Sequence, residues 1–263
     1  MGKRAGPCVQ LDRRAAGLMR RLLAALALVA APAGAQAGRH PTEAAIEAAF
    51  ASPDRNPAAR VRDQTRETRR VMALSRVEPG ERVLDVGSGG GYMAQLFSSL
   101  VGEGGRVDIH NSPNWIHQLP GTDEASMRVR IRRANIGYVT TEFDAVTGGD
   151  ASYDLIVMAQ VYHDTPIGYI NREAMNANFL RLLKPGGRLV ISDHDALAGH
   201  GVSDATRFHR VEKALVVAEV TAAGFVLEAE EDIDLADNRK VSVFNPAVRG
   251  RTDRFILAFV KPG

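Results

Sequence analysis

From Arg82 to Ser192 the chain repeats one pattern, a run of four or five mostly apolar residues followed by a segment long enough for a helix. The runs are Val83–Val86, Arg106–Ile109, Gly137–Thr140, Asp154–Met158 and Arg188–Ser192. That alternation predicts strands of a parallel sheet with helices on both faces. Tyr92–Val101 reads as a helix that opens on a glycine-rich turn and stops at Gly102, and Arg172–Lys184 as one halted by Pro185-Gly186-Gly187. Met127–Ile131 alternates as a strand would, but the order of elements calls for a helix, and a helix is expected there. A helix over Val211–Ala223, a stop at Gly224, and strands at Phe225–Ala229 and Arg254–Val260 complete the pattern. The fold class is therefore α/β, a doubly wound, mostly parallel seven-stranded sheet ending in an antiparallel edge pair.

Ahead of the sheet, residues 38–77 read as an N-terminal helical extension to a domain spanning 78–263. Thr42–Phe50 predicts a short helix, Ser52–Pro57 a break, and the segment from Pro57 a longer helix carrying Arg60, Arg62, Arg66, Arg69 and Arg70. Asp63 and Glu67 stand at helical spacing to these cations, so a solvated, salt-paired face is expected in preference to a substrate-facing patch.

Residues 1–37 change the charge and the chemistry. Arg20-Arg21, the uncharged stretch Leu22–Ala31 and Ala35-Gln36-Ala37 have the layout of a secretory signal peptide, so a periplasmic or secreted protein beginning at Gly38 is expected, with no stable membrane anchor after cleavage. Met19–Ala37 alone makes a complete leader. The full chain has 263 residues and a net charge of +2. Removing the leader takes six basic residues and one acid, leaving 27 Lys+Arg against 30 Asp+Glu, a net −3. A nucleic-acid partner loses its electrostatic argument, and a small-molecule partner is expected instead. Cys8, the only cysteine, leaves too, which excludes disulfides and thiolate chemistry. With 45% hydrophobic content the full chain has ample material for a core.

The most informative stretch is Val83-Leu84-Asp85-Val86-Gly87-Ser88-Gly89-Gly90-Gly91-Tyr92. A buried strand delivers a carboxylate, and the glycines let the backbone turn tightly and approach a ligand. A dinucleotide fingerprint fails by one position, because counting from Gly87 its last glycine falls on Tyr92, and no Gly-Lys-Ser/Thr phosphate loop is present.

Asp85-x-Gly87-x-Gly89-x-Gly91, Asp144, Tyr153-Asp154-Leu155-Ile156 and Leu183-Lys184-Pro185-Gly186-Gly187, in that order, resemble class I S-adenosylmethionine-dependent methyltransferases over about Arg82–Pro262. The motifs Arg62–Arg66, Tyr162-His163-Asp164, Phe208-His209-Arg210 and Arg249–Phe255 also look like a group of exported predicted methyltransferases. The resemblance implies a Rossmann-like sheet and S-adenosyl-L-methionine as cofactor. It implies that Asp85 orients the loop and the methionine ammonium, that Gly87, Ser88, Gly89 and Gly91 admit the cofactor, and that Asp144 and Ala145 meet the adenine. Where the family usually holds the ribose hydroxyls with Asp or Glu, this chain has Asn111, uncharged and able to accept one hydrogen bond and donate another.

Methyl transfer from a sulfonium asks mainly for alignment, with a base only if the nucleophile arrives protonated. His163 and Asp164, after the fourth strand, and His209 are the expected catalytic residues, with His163 as base at its ordinary pKa and Asp164 or Asp193 orienting it. The acceptor pocket is expected around Tyr162-His163-Asp164, closed by the N-terminal helix and the His209 segment. No metal is assigned, although Asp164, Asp193 and His194 together offer a divalent-cation alternative. The competing functions are a non-catalytic exported binding protein of the same fold and, disfavoured by the failed fingerprint, a nicotinamide oxidoreductase.

Overall fold

In the computed structural model the first apolar run becomes β1 (Arg82–Val86), which pairs in parallel with β2 (Arg106–His110) on one side and β4 (Tyr153–Ala159) on the other. The structure describes Gly2, residues 41–234 and 237–263; the leader expected over 1–37 lies otherwise outside the described residues. With β3 (Ile136–Val139), β5 (Leu183–His194), β6 (Val226–Ile233) and β7 (Arg254–Val260), the strands form one seven-stranded sheet ordered β3-β2-β1-β4-β5-β7-β6. Strand β7 runs antiparallel to both neighbours, and the remaining pairings are parallel. This is the expected fold class. The chain reverses its winding between β1 and β4, and in open sheets of this kind ligands sit at the carboxyl ends of the strands beside that switch.

Both faces of the sheet are covered. Val83, Leu155, Val157 and Val190 face one apolar layer with Leu96 and Phe97 of α4 (Tyr92–Val101), while Leu84, Ile156, Leu189 and Ile191 face the other with Phe179 of α7 (Arg172–Leu182). The ambiguous stretch is helical, α6 (Glu124–Arg130), following α5 (Pro113–Gln118). Asp123 starts α6 by accepting from Ser126 N–H, and Met127 is its buried anchor. Three boundaries differ. Helix α7 ends at Leu182, and the Pro-Gly-Gly turn lies inside β5, at the irregularity where Tyr153 faces Leu183 but Leu155 faces Arg188. After α8 (Ala205–Phe208) the late helix is α9 (Lys213–Ala222), because Val211 is taken by a bridge to Asp195. The sixth strand runs on to Ile233.

The extension is also subdivided. After α1 (Glu43–Ala51), the expected long helix splits into α2 (Pro57–Arg60), a 3₁₀ turn (Val61–Gln64) and α3 (Thr68–Ser75). The break has a tertiary cause: Arg254 donates to Thr65 O at 2.9 Å, so that carbonyl is drawn out of the helical ladder. No helix among the described residues is long and apolar enough to cross a membrane.

Candidate functional site

At the end of β1 the carboxylate of Asp85 is buried, and both its hydrogen bonds, from Ser88 Oγ and from Ala94 N–H, fall on Oδ2. Burial pushes the carboxyl up to about 6, against those bonds and the nearby charge of Arg66. Gly87 has φ +62°, and a Cβ there would stand 2.6 Å from Val161 Cγ1; at Gly91, φ +75°, it would stand 2.4 Å from Ile131 Cδ1. The loop can pass between α6 and the end of β4 only because these positions are glycine.

Two residues of β2 and its exit hold the loop from the other side. The buried imidazole of His110 accepts from Gly87 N–H at 3.4 Å through Nδ1 and donates to Thr141 O through Nε2. Burial drives its pKa down to about 4, so it is neutral at pH 7. Asn111 accepts from Gly89 N–H at 2.8 Å and donates to Gly89 O at 3.0 Å and Thr122 O at 3.1 Å. Its amide is thus spent on the loop, a different position from the one the sequence suggested for it. Asp144 is likewise engaged, accepting from Asn171 N–H at 3.1 Å, and Ala145 is exposed.

Asp85, Gly87, Ser88 and Gly89 form one wall of a cavity of about 590 Å³. That volume suits a nucleoside-sized ligand together with part of a second molecule. The same cavity is also lined by His163, Asp164, His194, His209 and Phe244. A smaller cavity of about 180 Å³, lined by Glu142 and Phe143, adjoins it through Trp115, Gln118, Asp164 and His209. Glu142 and Phe143, rather than Asp144, therefore reach the cavity from the segment after β3.

His163 is buried in the 3₁₀ turn after β4. Its Nδ1 lies 2.6 Å from Asp193 Oδ1, and its Nε2 lies 3.3 Å from Asp164 Oδ1, which is also 3.3 Å from Nδ1 of His209. Burial opposes the charged imidazolium, but the two carboxylates outweigh it and raise the pKa of His163, so the expected base is not at its ordinary value. His194 stands beside it with rings 5.7 Å apart and shares a hydrogen bond with Thr252 at 2.8 Å; burial and the surrounding cations hold it well below its usual pKa, hence neutral. Tyr162 turns away into the core, donating to Glu219 at 2.7 Å.

The His209 segment is fixed by its neighbour. Arg210 is fully buried and donates to the carbonyls of Asp195, Asn238, Val241 and Asp253, which anchors Phe208-His209-Arg210 between β5 and β7. His209 itself adopts φ +53°, a left-handed conformation uncommon for a non-glycine residue.

The extension supplies what the sequence reading placed on a solvated face. Arg55, fully buried, makes a two-pronged bond to Asp63 at 2.9 and 2.7 Å, and Asp63 accepts from Tyr92 at the start of α4. This clamp carries Arg62 and Arg66 to the cavity wall. Arg69 and Arg70 are salt-paired with Glu47, Glu67 and Glu231 as expected. Arg66 has no hydrogen-bond or ion-pair partner among the described residues; it lies over the Tyr92 ring at 5.4 Å, and burial and Arg62 lower its pKa to about 10, so it stays charged. Only its spacing to Asp63 had argued for a surface role, and the break at Thr65 cancels that argument.

Residues 48–226, about two thirds of the chain, match the family model described as a methyltransferase domain. A ubiquinone/menaquinone biosynthesis C-methyltransferase UbiE from Shewanella pealeana is 32% identical over 116 residues, covering 43% of this chain and 42% of that protein. The chain thus spans about half or less of the length of the curated relatives it matches. Among solved structures, a SAM-dependent methyltransferase from Aquifex aeolicus superposes with a TM-score of 0.56 at 17% identity over 76% of this chain and 92% of that one. The [4+2]-cyclase SpnF does so with 0.56 at 19% identity, over 78% and 81%. With its seven-stranded sheet, its Asp-and-glycine loop and this family match, the chain belongs to the class I S-adenosylmethionine-dependent methyltransferases.

Proposed function

We propose that this protein transfers a methyl group from S-adenosylmethionine to a small-molecule acceptor, and that it works outside the cytoplasm. The observation that carries the reading is one cavity lined by both a cofactor-type loop and a histidine–carboxylate cluster.

The donor set suits the cofactor. Asp85 keeps Oδ1 for an ammonium, Gly89 would meet nothing within 4 Å if it carried a Cβ, and Arg66, unpartnered among the described residues, suits a carboxylate. When bound, S-adenosylmethionine supplies an electrophilic methyl group on a sulfonium. The protein's share is then to align the acceptor and handle its proton. His209 and Asp164 face the acceptor; His163, locked from behind by Asp193, fixes Asp164 between the two imidazoles. The same lining carries His194, held neutral by burial, and the ring of Phe244.

C-methylation is the reaction named for the curated relatives, so phenols, whose ionisation activates a ring carbon, are the first acceptors to try. Incubation with methyl-labelled S-adenosylmethionine and a panel of phenols, thiols and amines should label one class. Cofactor binding without label in any acceptor, including a mixed metabolite extract, would favour the non-catalytic binding protein. Export is tested separately: the secreted protein's intact mass should begin at Gly38, and a mature form retaining Leu22–Ala31 would overturn it.

A further inference from the structure

We propose that His163, Asp164 and His209 form a binding site for one divalent first-row transition ion at the acceptor end of the cavity. The inference rests on the proposed function only for the use of the ion, not for its binding.

One ligand atom from each residue can be chosen so that all lie within 4.8 Å of one another, and the imidazole nitrogens turned towards Asp164 are Nε2 of His163 and Nδ1 of His209. Asp164 Oδ1 is 3.3 Å from each imidazole nitrogen, longer than the roughly 2.7–2.9 Å of a charge-assisted hydrogen bond. Two metal–ligand bonds of about 2.1 Å at a tetrahedral angle span about 3.4 Å, so the separation is that of atoms sharing a cation.

A second observation is independent of the first. Asp193, with no exposed surface, holds the far nitrogen of His163 at 2.6 Å and takes the backbone N–H groups of His163 and His194 at 2.9 and 2.7 Å. A carboxylate behind a histidine is the arrangement that fixes the tautomer and ring of a metal-bound imidazole. His209 is held as firmly, by the saturated Arg210 next to it.

Two imidazoles and one carboxylate select zinc, iron, cobalt, nickel or copper over magnesium or calcium, which prefer all-oxygen shells. Three protein ligands leave coordination positions open, and the cavity lies on that side. An oxygen or sulfur nucleophile bound there would lose its proton to solvent at lower pH than when free. With the ion in place, Nε2 of His163 and Nδ1 of His209 act as ligand atoms and not as bases. The earlier expectation grouped Asp164 with Asp193 and His194; the structure instead puts Asp193 behind His163 and commits Nδ1 of His194 to Thr252.

The test is a titration of the chelator-treated full chain with Co²⁺, followed by visible absorption and calorimetry, with Mg²⁺ as competitor. One equivalent should bind and give the d–d bands of a low-symmetry site, unaffected by Mg²⁺. His209→Ala and Asp164→Asn should weaken binding at least about 100-fold, and Asp193→Asn about 10- to 100-fold. The melting shift produced by S-adenosylmethionine should persist in His209→Ala, which shows that the variant is folded. Absent bands, or equally tight binding in His209→Ala, would overturn the site while leaving the methyltransferase reading intact. Cobalt binding as expected with no response to S-adenosylmethionine in the wild type would do the reverse.

Discussion

Asp193 holds His163 twice, through Nδ1 at 2.6 Å and through the backbone N–H of the same residue at 2.9 Å. The end of β5 thereby dictates the conformation of the turn after β4, and the imidazole reaches the cavity in one orientation. Since the cofactor loop is held by Asp85, His110 and Asn111 and not by His163, losing this imidazole should affect chemistry and spare binding. His163→Ala should lower turnover by about 10²- to 10⁴-fold with the cofactor Kd nearly unchanged. Single-turnover rates and calorimetry on the same variant check both halves.

Asn111 offers a sharper test, because the family's usual acid is expected to fail here. Its amide both accepts from Gly89 N–H and donates to two carbonyls, Gly89 O and Thr122 O. An aspartate can only accept, and would set its oxygens against both carbonyls. Asn111→Asp should therefore lose stability on the order of 1–3 kcal/mol, seen as a melting temperature several degrees lower. A gain in cofactor affinity without loss of stability would return Asn111 to the ribose.

That residue also shows where sequence reading stops. The sheet, its order of elements and the Asp85 loop were legible because they depend on local pattern, apolar runs and a glycine-rich turn. What Asn111, Asp144 and Arg66 touch depends on contacts from remote segments: Thr122, Asn171, and the pull of Arg254 on Thr65. His163 and Asp164 were legible as candidates from their place after the fourth strand, and His209 from its place before the late helix. Their mutual spacing was not, since it is set by Arg210 and Asp193 gripping backbone from three separate loops.

Arg66 should matter through the cofactor. A charge-assisted bond to a carboxylate is worth about 1.5–3 kcal/mol, so Arg66→Met should raise the cofactor Kd by roughly 10- to 150-fold. Turnover at saturating cofactor should fall far less. An unchanged Kd, with a raised KM for the acceptor, would assign the guanidinium to the acceptor instead.

The pH dependence follows from Asp85 and His110. With its folded pKa raised to about 6, Asp85 favours the native state at low pH, and that contribution is lost as pH rises from about 4 through 6. His110, lowered to about 4, contributes stability present above about 6.5 and lost as pH falls towards 4. The two oppose each other in melting experiments, so the clean signal is in binding. A cationic ammonium needs the ionised carboxylate, hence cofactor affinity should drop about fivefold between pH 6 and pH 5. Calorimetry at the two pH values should show this in the wild type and not in Asp85→Asn.

The most direct test of the account is the melting temperature with S-adenosylmethionine and, separately, with NAD. At a concentration 100 times its Kd, S-adenosylmethionine should stabilise the protein by about 2.7 kcal/mol, or roughly 5–10 °C, and NAD should have no effect. Asp85→Ala should stay folded and lose most of the shift. A shift with NAD and none with S-adenosylmethionine would contradict the cofactor assignment on which the proposed reaction depends.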